Sequence, residues 1–494
     1  MELAITAALF FCILLGGLFL TSWKIHQKRR TLPPGPIPLP FLGTLRTIKP
    51  DLLYNTYLQL SEKYGPVVTV WMGSEPVVLL CGYDTVKDAL VNHAEEFGGR
   101  AVVSSDIKVT GSTGIISSNG AEWQARRRFT ITTLRNFGMG KRSMDERVQL
   151  EAHKLIQVIK DTDGKAFNPM KQLQSSVANV IFLVVFGERF DYKDQDLLQL
   201  LHIVDQHMLF LRSSVGQLYN SIPTIMDYLP GPHHRILKES QFLRDFIQKK
   251  IDSHRLTLDT EFPRDFIDFF LMKENKKEFG FKNENLVASV FDILIAGIET
   301  TAGSILYSLL VMVKYPHIQA RLQQEIDEVV GPTRPPSIDD RVKMLYTNAV
   351  IFEIQRFLDI APMAVPHSMT RDTEFYGYHI PKGTKVIPIL SSVLHDRKQW
   401  ENPDEFNPAH FLDEKGALKN PAAFMPFSAG KRLCPGQGLA RMEIFLFLTF
   451  LLQMFTFRSV VDPASIDLAV LRRAFRITGL SFQLRAVPRQ ITQA

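Results

Sequence analysis

Residues 427–436 read FSAGKRLCPG and place Cys434 between two glycines, two residues after Arg432. The chain has 3 cysteines; Cys12 lies in an N-terminal apolar segment and Cys81 in a strand-like run. Neither is spaced to pair with Cys434 or to join it in a zinc site, which needs several nitrogen or sulfur ligands. Most lone cysteines are simply buried, but burial explains neither the glycines nor the arginine. We therefore interpret Cys434 as a metal-ligand thiolate, and one axial thiolate suits haem iron.

The spacing of Phe427, Gly430, Arg432, Cys434 and Gly436 resembles the haem-binding loop of the cytochrome P-450 family. Further motifs resemble the vertebrate microsomal family-2 group, namely EIQRF at 353–357, LRNFGMGK at 134–141 and PFSAGKR at 426–432. The resemblance runs from the N-terminal segment to residue 484. It implies the P-450 fold, mainly α with a smaller β-sheet region (α+β), and haem b, iron protoporphyrin IX, with Cys434 as its axial thiolate.

The composition is that of a packed globular protein, with 45% hydrophobic and 22% charged residues among 494. A net charge of +6 favours an acidic partner or anionic lipid. Nucleic acid is disfavoured, because 57 basic against 51 acidic residues is a mild excess and no aromatic-basic motif stands out.

Residues 3–23 form a nearly uncharged run of about 20 residues, the length of a membrane-spanning helix. Positive charges follow the run, from Lys24 to Arg30, whereas a cleaved signal peptide, the alternative, carries them before it. The positive-inside rule then places the remainder in the cytosol. We expect a transmembrane anchor at 1–23, a basic and proline-rich linker at 24–40 and one catalytic domain at 41–494. The microsomal resemblance implies the endoplasmic reticulum membrane.

The linker includes LPPGPIPLP at 32–40, which is too rich in proline for a helix or a central strand and predicts a stiff extended spacer. Ile37 and Leu39 favour docking onto the protein's own body over recognition by a partner domain. Beyond it, the pattern predicts a β-hairpin from Val67–Met72 and Pro76–Leu80. An irregular loop at 98–120 is expected to fold over a pocket.

Trp123 and Arg127 stand at i and i+4, so an indole N–H and a guanidinium share one helix face. The pair resembles the family's Trp-x-x-x-Arg, which holds haem propionates. The resemblance adds Arg432, Arg100 and His367 to this set. A metal-ligand role for His367 is the alternative, ranked lower because no second ligand lies nearby in sequence.

Residues 286–313 are apolar enough to resemble a second membrane span, but Asp292, Glu299 and Thr300 would be costly against lipid. We predict a long helix through the core. Its middle resembles the family's oxygen-activation motif, with Glu299 as acid and Thr300 as alcohol, although buried threonines usually bond to helix carbonyls. The predicted substrate pocket comprises the loop 101–116 with Ile295, Ala296, Ala361 and Val365. The resemblance implies that residues 208–235 form a roof over the substrate access path, a region that often touches the membrane in the family.

Glu353 and Arg356, at i and i+3 in an apolar helix, favour a buried pair over the usual surface salt bridge. The pair resembles the family's structural Glu-x-x-Arg, whose third partner is often an arginine. His410 stands at that position here, which puts the third charge in doubt but leaves a hydrogen-bond donor.

Three functions are compatible with these motifs. The leading one is an NADPH-dependent monooxygenase that inserts one oxygen atom of O2 into fatty acids, steroids or xenobiotics. The second is a haem-thiolate isomerase or dehydratase acting on lipid peroxides without a reductase, and the third is a haem sensor or anchored scaffold. No GxGxxG fingerprint is present, so electrons would come through a membrane-bound flavoprotein reductase, with cytochrome b5 as a further partner. The predicted basic docking face comprises Arg126, Arg128, Lys141 and Arg142.

Overall fold

A computed structural model of the chain describes residues 2–40, 42–44, 53–136, 142–470 and 482–490. Within these ranges the helices are α1 (Glu2–Arg29), α2 (Leu53–Tyr64), α3 (Tyr83–Lys87), α4 (Ser104–Thr110), α5 (Gly120–Asn136), α6 (Arg142–Lys160), α7 (Met170–Val185), α8 (Gln195–Arg212), α9 (Ser214–Ser221), α10 (Pro223–Met226), α11 (Pro232–Thr257), α12 (Phe266–Asn275), α13 (Asn283–Lys314), α14 (Pro316–Val329), α15 (Leu345–Leu358), α16 (Leu390–Leu394) and α17 (Gln437–Met454). The strands are β1 (Val67–Met72), β2 (Glu75–Leu80), β3 (Gly99–Arg100), β4 (His367–Ser368), β5 (Thr373–Phe375), β6 (Tyr378–Ile380), β7 (Lys385–Pro388), β8 (Phe455–Ser459) and β9 (Leu484–Pro488). The predicted mainly α fold with smaller sheets is confirmed.

Helix α13 is the centre of the molecule. Its 32 residues give a length of about 48 Å, and it packs against α7, α8, α11, α15 and α17. By length and composition it could cross a membrane, but 78% of its most apolar window is buried inside the protein. The predicted core helix is therefore confirmed, because neighbouring helices cover the apolar side chains that lipid would otherwise have to cover.

The main sheet has the strand order β1-β2-β7-β4-β3. Strands β1 and β2 form the predicted hairpin, with Val67 opposite Leu80, and β2 runs parallel to β7. The short strand β4 pairs with both β7 and β3, which sets His367 opposite Arg100. Two candidate ligand-binding residues, separated by 267 positions in sequence, are thus brought together by backbone pairing.

The linker docks onto the body by residues other than those predicted. Ile37 and Leu39 are 76% and 42% exposed, whereas Leu32 is buried with Ile25 against Trp71. The backbone also docks, since Thr69 N–H donates to Pro34 O at 2.9 Å. Burial alternates along this part of the linker. The prolines at 36 and 38 are buried, and Ile37 and Leu39 between and after them are exposed.

Two segments differ from expectation. The stretch 98–120 is not wholly irregular, because it contains β3 and α4, and α4 ends at Gly111 in the left-handed conformation. The apolar run from Leu439 to Phe457 is compatible with one continuous helix, but α17 ends at Met454, where the chain turns into β8. The apolar residues of β8 pair with β9, so tertiary strand pairing overrides a pattern that a helix would also satisfy.

Candidate active site

The cysteine loop is closed by its own backbone. Cys434 N–H donates to Phe427 O at 3.1 Å, and a short 3₁₀ turn from Gly430 to Arg432 lies between them. Gly430 has φ of 69°, and a Cβ there would lie 1.8 Å from Leu90 O. Only glycine permits both this backbone conformation and this approach, which fixes the loop against the helical turn that follows α3.

Cys434 is exposed, although protein atoms surround its thiol closely. Burial raises its pKa, while the backbone N–H groups of Gly436 and Gln437 and the Arg127 guanidinium favour the thiolate. The loop leads directly into α17, so the start of that helix supplies positive potential next to the sulfur. A cation bound to the sulfur would stabilise the thiolate further, in the same direction as these groups.

Three guanidinium groups lie close enough to repel one another, those of Arg100, Arg127 and Arg432. Burial, followed by this repulsion, lowers the pKa of Arg100 and of Arg432 to about 9. Among the described residues no carboxylate acts on any of the three. Arg432 is buried and the other two are partly buried, and cations removed from water without an anion are costly, so the cluster favours binding of an anionic group.

Backbone carbonyls orient these guanidiniums. The contacts are Arg100 to Ile116 O at 3.2 Å and Val365 O at 2.7 Å, Arg432 to Gly98 O at 2.9 Å and Ser118 O at 3.0 Å, and Arg127 to Leu433 O. The guanidinium of Arg432 also lies 3.4 Å from the ring centroid of Trp123. The predicted cluster is therefore assembled in space, although the indole N–H of Trp123 donates to Ile115 O at 3.1 Å.

His367 is buried, and its Nδ1 lies 2.6 Å from Phe97 O. A carbonyl only accepts, so Nδ1 carries a proton, while Nε2 is buried and has no partner among the described residues. Burial, then Arg100 and Arg432, lowers the pKa of His367 to about 3. An anion at this place would offset both arginines and favour a second proton on Nε2.

These observations fit haem. Three uncompensated arginines and an orphaned imidazole nitrogen suit two propionates, and the open thiol suits iron. A Cβ at position 436 would lie 3.9 Å from Sγ, which is van der Waals contact. Glycine therefore leaves that space beside the sulfur open.

Helix α13 has one open face in its middle turns. Ile293, Ala296, Gly297 and Thr300 recur at helical spacing and are the less buried residues of its middle turns. Thr300 Oγ1 donates to Ala296 O at 2.7 Å, which leaves the lone pairs of its oxygen to accept from a donor in the cavity. Ile295, predicted as a pocket residue, lies in the hydrophobic core instead, 6% exposed.

Ala361 and Val365, the other predicted pocket residues, are exposed in the segment between α15 and β4. Val365 also contacts the arginine cluster directly, because its backbone carbonyl accepts a hydrogen bond from Arg100.

The Glu299 carboxylate is buried and pairs with Arg212, the last residue of α8, at 2.9 Å. This partner was not predicted from the sequence, where its only signal is an arginine directly after the apolar run 208–211.

Asp292 was considered above only as a residue unsuited to lipid. Its Oδ2 accepts from the N–H groups of Ile115 at 2.7 Å and Ile116 at 2.8 Å, and so fastens the loop 101–116 to α13. Those two residues in turn offer carbonyls to Trp123 and to Arg100. Asp292 therefore helps to position Trp123 and Arg100 without contacting them, because it holds the two residues whose carbonyls they bind.

Burial raises the pKa of Asp292 from 3.8 to about 8, with the nearby Asp106 adding to the effect. The folded protein then retains a proton that the unfolded chain has lost, so stability falls as pH rises toward 8. The largest slope from one such group is about 1.4 kcal/mol per pH unit. We expect Asp292→Asn to remove part of the decline in melting temperature between pH 6 and 8, measured by circular dichroism, because the amide oxygen still accepts both N–H groups. An undiminished decline would contradict this assignment.

The Glu353–Arg356 pair is fully buried, with Nε–Oε2 at 2.7 Å and Nη2–Oε1 at 2.8 Å. His410 Nδ1 lies 3.2 Å from Glu353 Oε2, and its Nε2 lies 2.6 Å from Glu401 O. Both partners are acceptors, and one protonated ring nitrogen is enough for one of the two bonds. His410 thus supplies a hydrogen-bond donor to this network at the position where relatives often have an arginine.

Of the predicted docking residues, Arg126 is not on the surface. It is 2% exposed and donates to Gly280 O at 3.0 Å, in the segment between α12 and α13, and α5 packs against α12. Arg128 is exposed. Lys141 lies outside the described residues, and the side chain of Arg142 is likewise not described.

Comparison with known proteins gives a consistent result. The family model described as Cytochrome P450 matches residues 33–476. The chain is 49% identical to cytochrome P450 2B19 of Mus musculus over 91% of this chain and 92% of that protein. It is 45% identical to cytochrome P450 2C25 of Mesocricetus auratus over 98% and 99%, and 47% identical to cytochrome P450 2B2 of Rattus norvegicus over 93% and 95%.

Proposed function

Because this chain belongs to the cytochrome P450 family, with family-2 members among its relatives, we propose that it is a membrane-bound monooxygenase of lipophilic small molecules that uses electrons from NADPH. The family assignment makes it an oxidoreductase with haem and a cysteine thiolate ligand. Fatty acids, steroids and xenobiotics are the proposed substrate classes. The observation that carries the proposal is the exposed Cys434 beside Arg127, which belongs to a cluster of three arginines with no acidic partner in the part of the chain that the structure describes.

Each residue then has a proposed role. Cys434 holds the iron, and Arg100, Arg127, Arg432, Trp123 and His367 surround the propionates. When bound, the haem supplies the activation of O2. Thr300 accepts a hydrogen bond in the cavity and passes protons inward, and Glu299 is the acid that resupplies them. Ala296, Ala361 and Val365 line the space left for an apolar substrate.

Electron delivery is proposed to occur on the side of the cysteine loop. A cleft of about 380 Å³ there is lined by Lys87, Phe427 and Arg441, among others. Burial lowers the pKa of Arg441 to about 10, with Arg341 adding repulsion, and no acid within the described ranges contributes to the shift. This positive cleft, with exposed Arg128, suits the acidic surface of a flavoprotein reductase or of cytochrome b5.

The proposed location is the endoplasmic reticulum membrane, with residues 1–23 as a single-pass anchor, 24–40 as a linker and 41–494 as the cytosolic catalytic domain. Helix α1 continues through the basic residues as far as Arg29. Lys28 and Arg100 line one cavity of about 630 Å³, together with Ser221 and Pro223 of the predicted roof. Lipophilic substrate could therefore enter near the membrane surface.

The test is reconstitution with NADPH–flavoprotein reductase in lipid vesicles, followed by a panel of fatty acids, steroids and drugs. Consumption of both O2 and NADPH, in step with a hydroxylated or epoxidised product, supports the proposal. Turnover of a lipid peroxide without reductase, and no NADPH consumption with any substrate, would favour the isomerase alternative.

Replacement of Thr300 by alanine should separate electron use from product formation. We expect NADPH oxidation to continue while a larger share of it ends as hydrogen peroxide, because the cavity loses its hydroxyl on the open face of α13. Proton-transfer residues typically contribute a factor of about 10² or more. The measurement is the ratio of product to NADPH, with Thr301→Ala as control since Thr301 is buried away from that face. An unchanged ratio in Thr300→Ala would remove this residue from the relay.

A further inference from the structure

The cavity beside the end of α1 carries more positive charge than an entry path for lipophilic substrate needs. Its volume is about 630 Å³, which is within the usual range of ligand pockets. An apolar substrate gains nothing from charged walls, so these charges indicate a ligand of a second class. Four cationic side chains and one carboxylate line the cavity, those of Lys28, Arg100, Lys382, Lys385 and Glu75.

Two of the lysines have no acidic partner. Lys385 pairs with Glu75, with Nζ lying 3.0 Å from Oε2, whereas no described carboxylate lies within ion-pair distance of Lys28 or Lys382. The guanidinium of Arg100 donates to backbone carbonyls within the arginine cluster described above. Lys28 and Lys382 therefore leave two positive charges uncompensated at the cavity.

The fold brings these two lysines to one cavity from distant segments. Lys28 is in the last turn of α1, and Lys382 is in the turn between β6 and β7. The chain after α1 is held against β6, because His379 N–H donates to Thr31 O at 3.1 Å. Ammonium groups and hydroxyls together suit the oxygens of a phosphoryl anion. The hydroxyl and amide side chains of the lining are those of Thr31, Ser104, Asn220, Ser221, Ser368 and Thr384.

The place of Lys28 along α1 indicates where such an anion would come from. The proposed membrane span ends at residue 23, and Lys28 lies about 7 Å further along the same helix. The polar headgroup layer on each side of a bilayer is about 5–7 Å thick. Lys28 therefore reaches the level of the lipid phosphates, where anionic lipids attract basic side chains.

We propose that this cavity binds the phosphoryl headgroup of one anionic phospholipid, with Lys28 and Lys382 as its charged ligands and Lys385 beside them. The acyl chains remain in the bilayer, and Val102, which lines the cavity and is 59% exposed, offers them an apolar contact. Because the end of α1, the roof segment and the main sheet all line the cavity, the bound lipid links the anchor to the catalytic domain and limits its tilt on the membrane. The inference rests on the proposed anchor at 1–23 and is independent of the reaction.

The test counts lipids on the full-length, haem-loaded chain by native mass spectrometry. The chain is held in a nonionic detergent and titrated with soluble dihexanoylphosphatidylserine, so that binding requires neither a bilayer nor turnover. We expect one phosphatidylserine per chain, bound about twentyfold more tightly than dihexanoylphosphatidylcholine, because each lysine near an anionic headgroup contributes about fivefold. Equal affinity for the two lipids overturns the proposal.

Two double variants separate the cavity from the net charge of the protein. Lys28→Gln combined with Lys382→Gln is expected to lose the twentyfold preference for phosphatidylserine. Lys24→Gln combined with Lys415→Gln is the matched control, because it removes the same charge from the basic segment and the body, and neither exposed lysine lines the cavity. The control should bind like the wild type. An equal loss in both double variants would show attraction by net charge alone and overturns the site.

Inorganic phosphate distinguishes a lipid from a free anion. A large excess of phosphate should leave phosphatidylserine bound, because the free anion makes no contact through acyl chains. Displacement of the lipid by phosphate would assign the cavity to a soluble phosphoryl ligand and overturns the lipid as occupant.

Flotation of the full chain with neutral phosphatidylcholine vesicles tests the anchor separately. Loss of flotation with retained phosphatidylserine binding contradicts the anchor and supports the cavity site. Retained flotation without a preference for phosphatidylserine contradicts the cavity site and leaves the anchor in place.

Discussion

Cys434→Ser is expected to abolish the red-shifted Soret band of the reduced carbon monoxide complex. Serine cannot supply the thiolate that gives a haem-thiolate protein its electronic character, because its hydroxyl remains protonated where a cysteine ionises. The loop should keep its shape, since the Cys434 N–H bond to Phe427 O and the left-handed Gly430 do not involve the sulfur. Monooxygenase turnover should disappear with the band.

The matched control is Cys81→Ser. Cys81 is 4% exposed, and burial raises the pKa of its thiol to about 12, so it has no tendency to act as an anionic ligand. This variant should lose some stability but keep the band. Retention of the red-shifted band in Cys434→Ser, with circular dichroism showing a folded protein, would refute Cys434 as the axial ligand.

Glu353→Gln is expected to have the largest effect on folding. The carboxylate accepts from Arg356 through both oxygens, from Asn407 N–H at 2.8 Å and from His410, all within a buried region. The amide leaves the buried Arg356 cation without its carboxylate, and breaking a buried pair from one side typically costs about 3–5 kcal/mol. A lower urea midpoint of unfolding and a smaller fraction of haem-loaded protein should follow.

Glu278→Gln serves as the control for the loss of one carboxylate. Its partner Lys273 lies at 2.9 Å, but both side chains are about 40% exposed, and such pairs contribute less than about 1 kcal/mol. Equal destabilisation by the two substitutions would show that the buried contacts of Glu353 contribute no more to the free energy of unfolding than an exposed ion pair. His410→Gln offers a further comparison, since glutamine can donate a hydrogen bond but brings no charge.

Features coded by short sequence spacings were predictable. The Glu353–Arg356 pair and the Trp123–Arg127 face each lie within about one helical turn, and the cysteine loop is one tight loop, so the residues themselves fix the geometry. The core position of α13 was also predictable, because polar residues in its middle exclude lipid.

Contacts between distant segments were not predictable in the same way. Arg212 and Asp292 acquire their roles only when α8 and the loop 101–116 are folded onto α13. The prediction that Ile37 and Leu39 dock the linker was wrong, because hydrophobicity alone does not tell which side of an extended chain faces the protein. Ile295 failed as a pocket residue for a similar reason, since one position on a helix turns a side chain by about 100°.

The bonds of Arg432 have a consequence for biosynthesis. Its guanidinium closes on carbonyls 334 and 314 residues earlier in the chain, at Gly98 and Ser118. A ribosome that has made the first four hundred residues has therefore not yet completed the cluster that would hold the propionates. We expect cofactor capture to follow synthesis, with a nascent chain that must keep its unfinished pocket from aggregating until the last segment emerges.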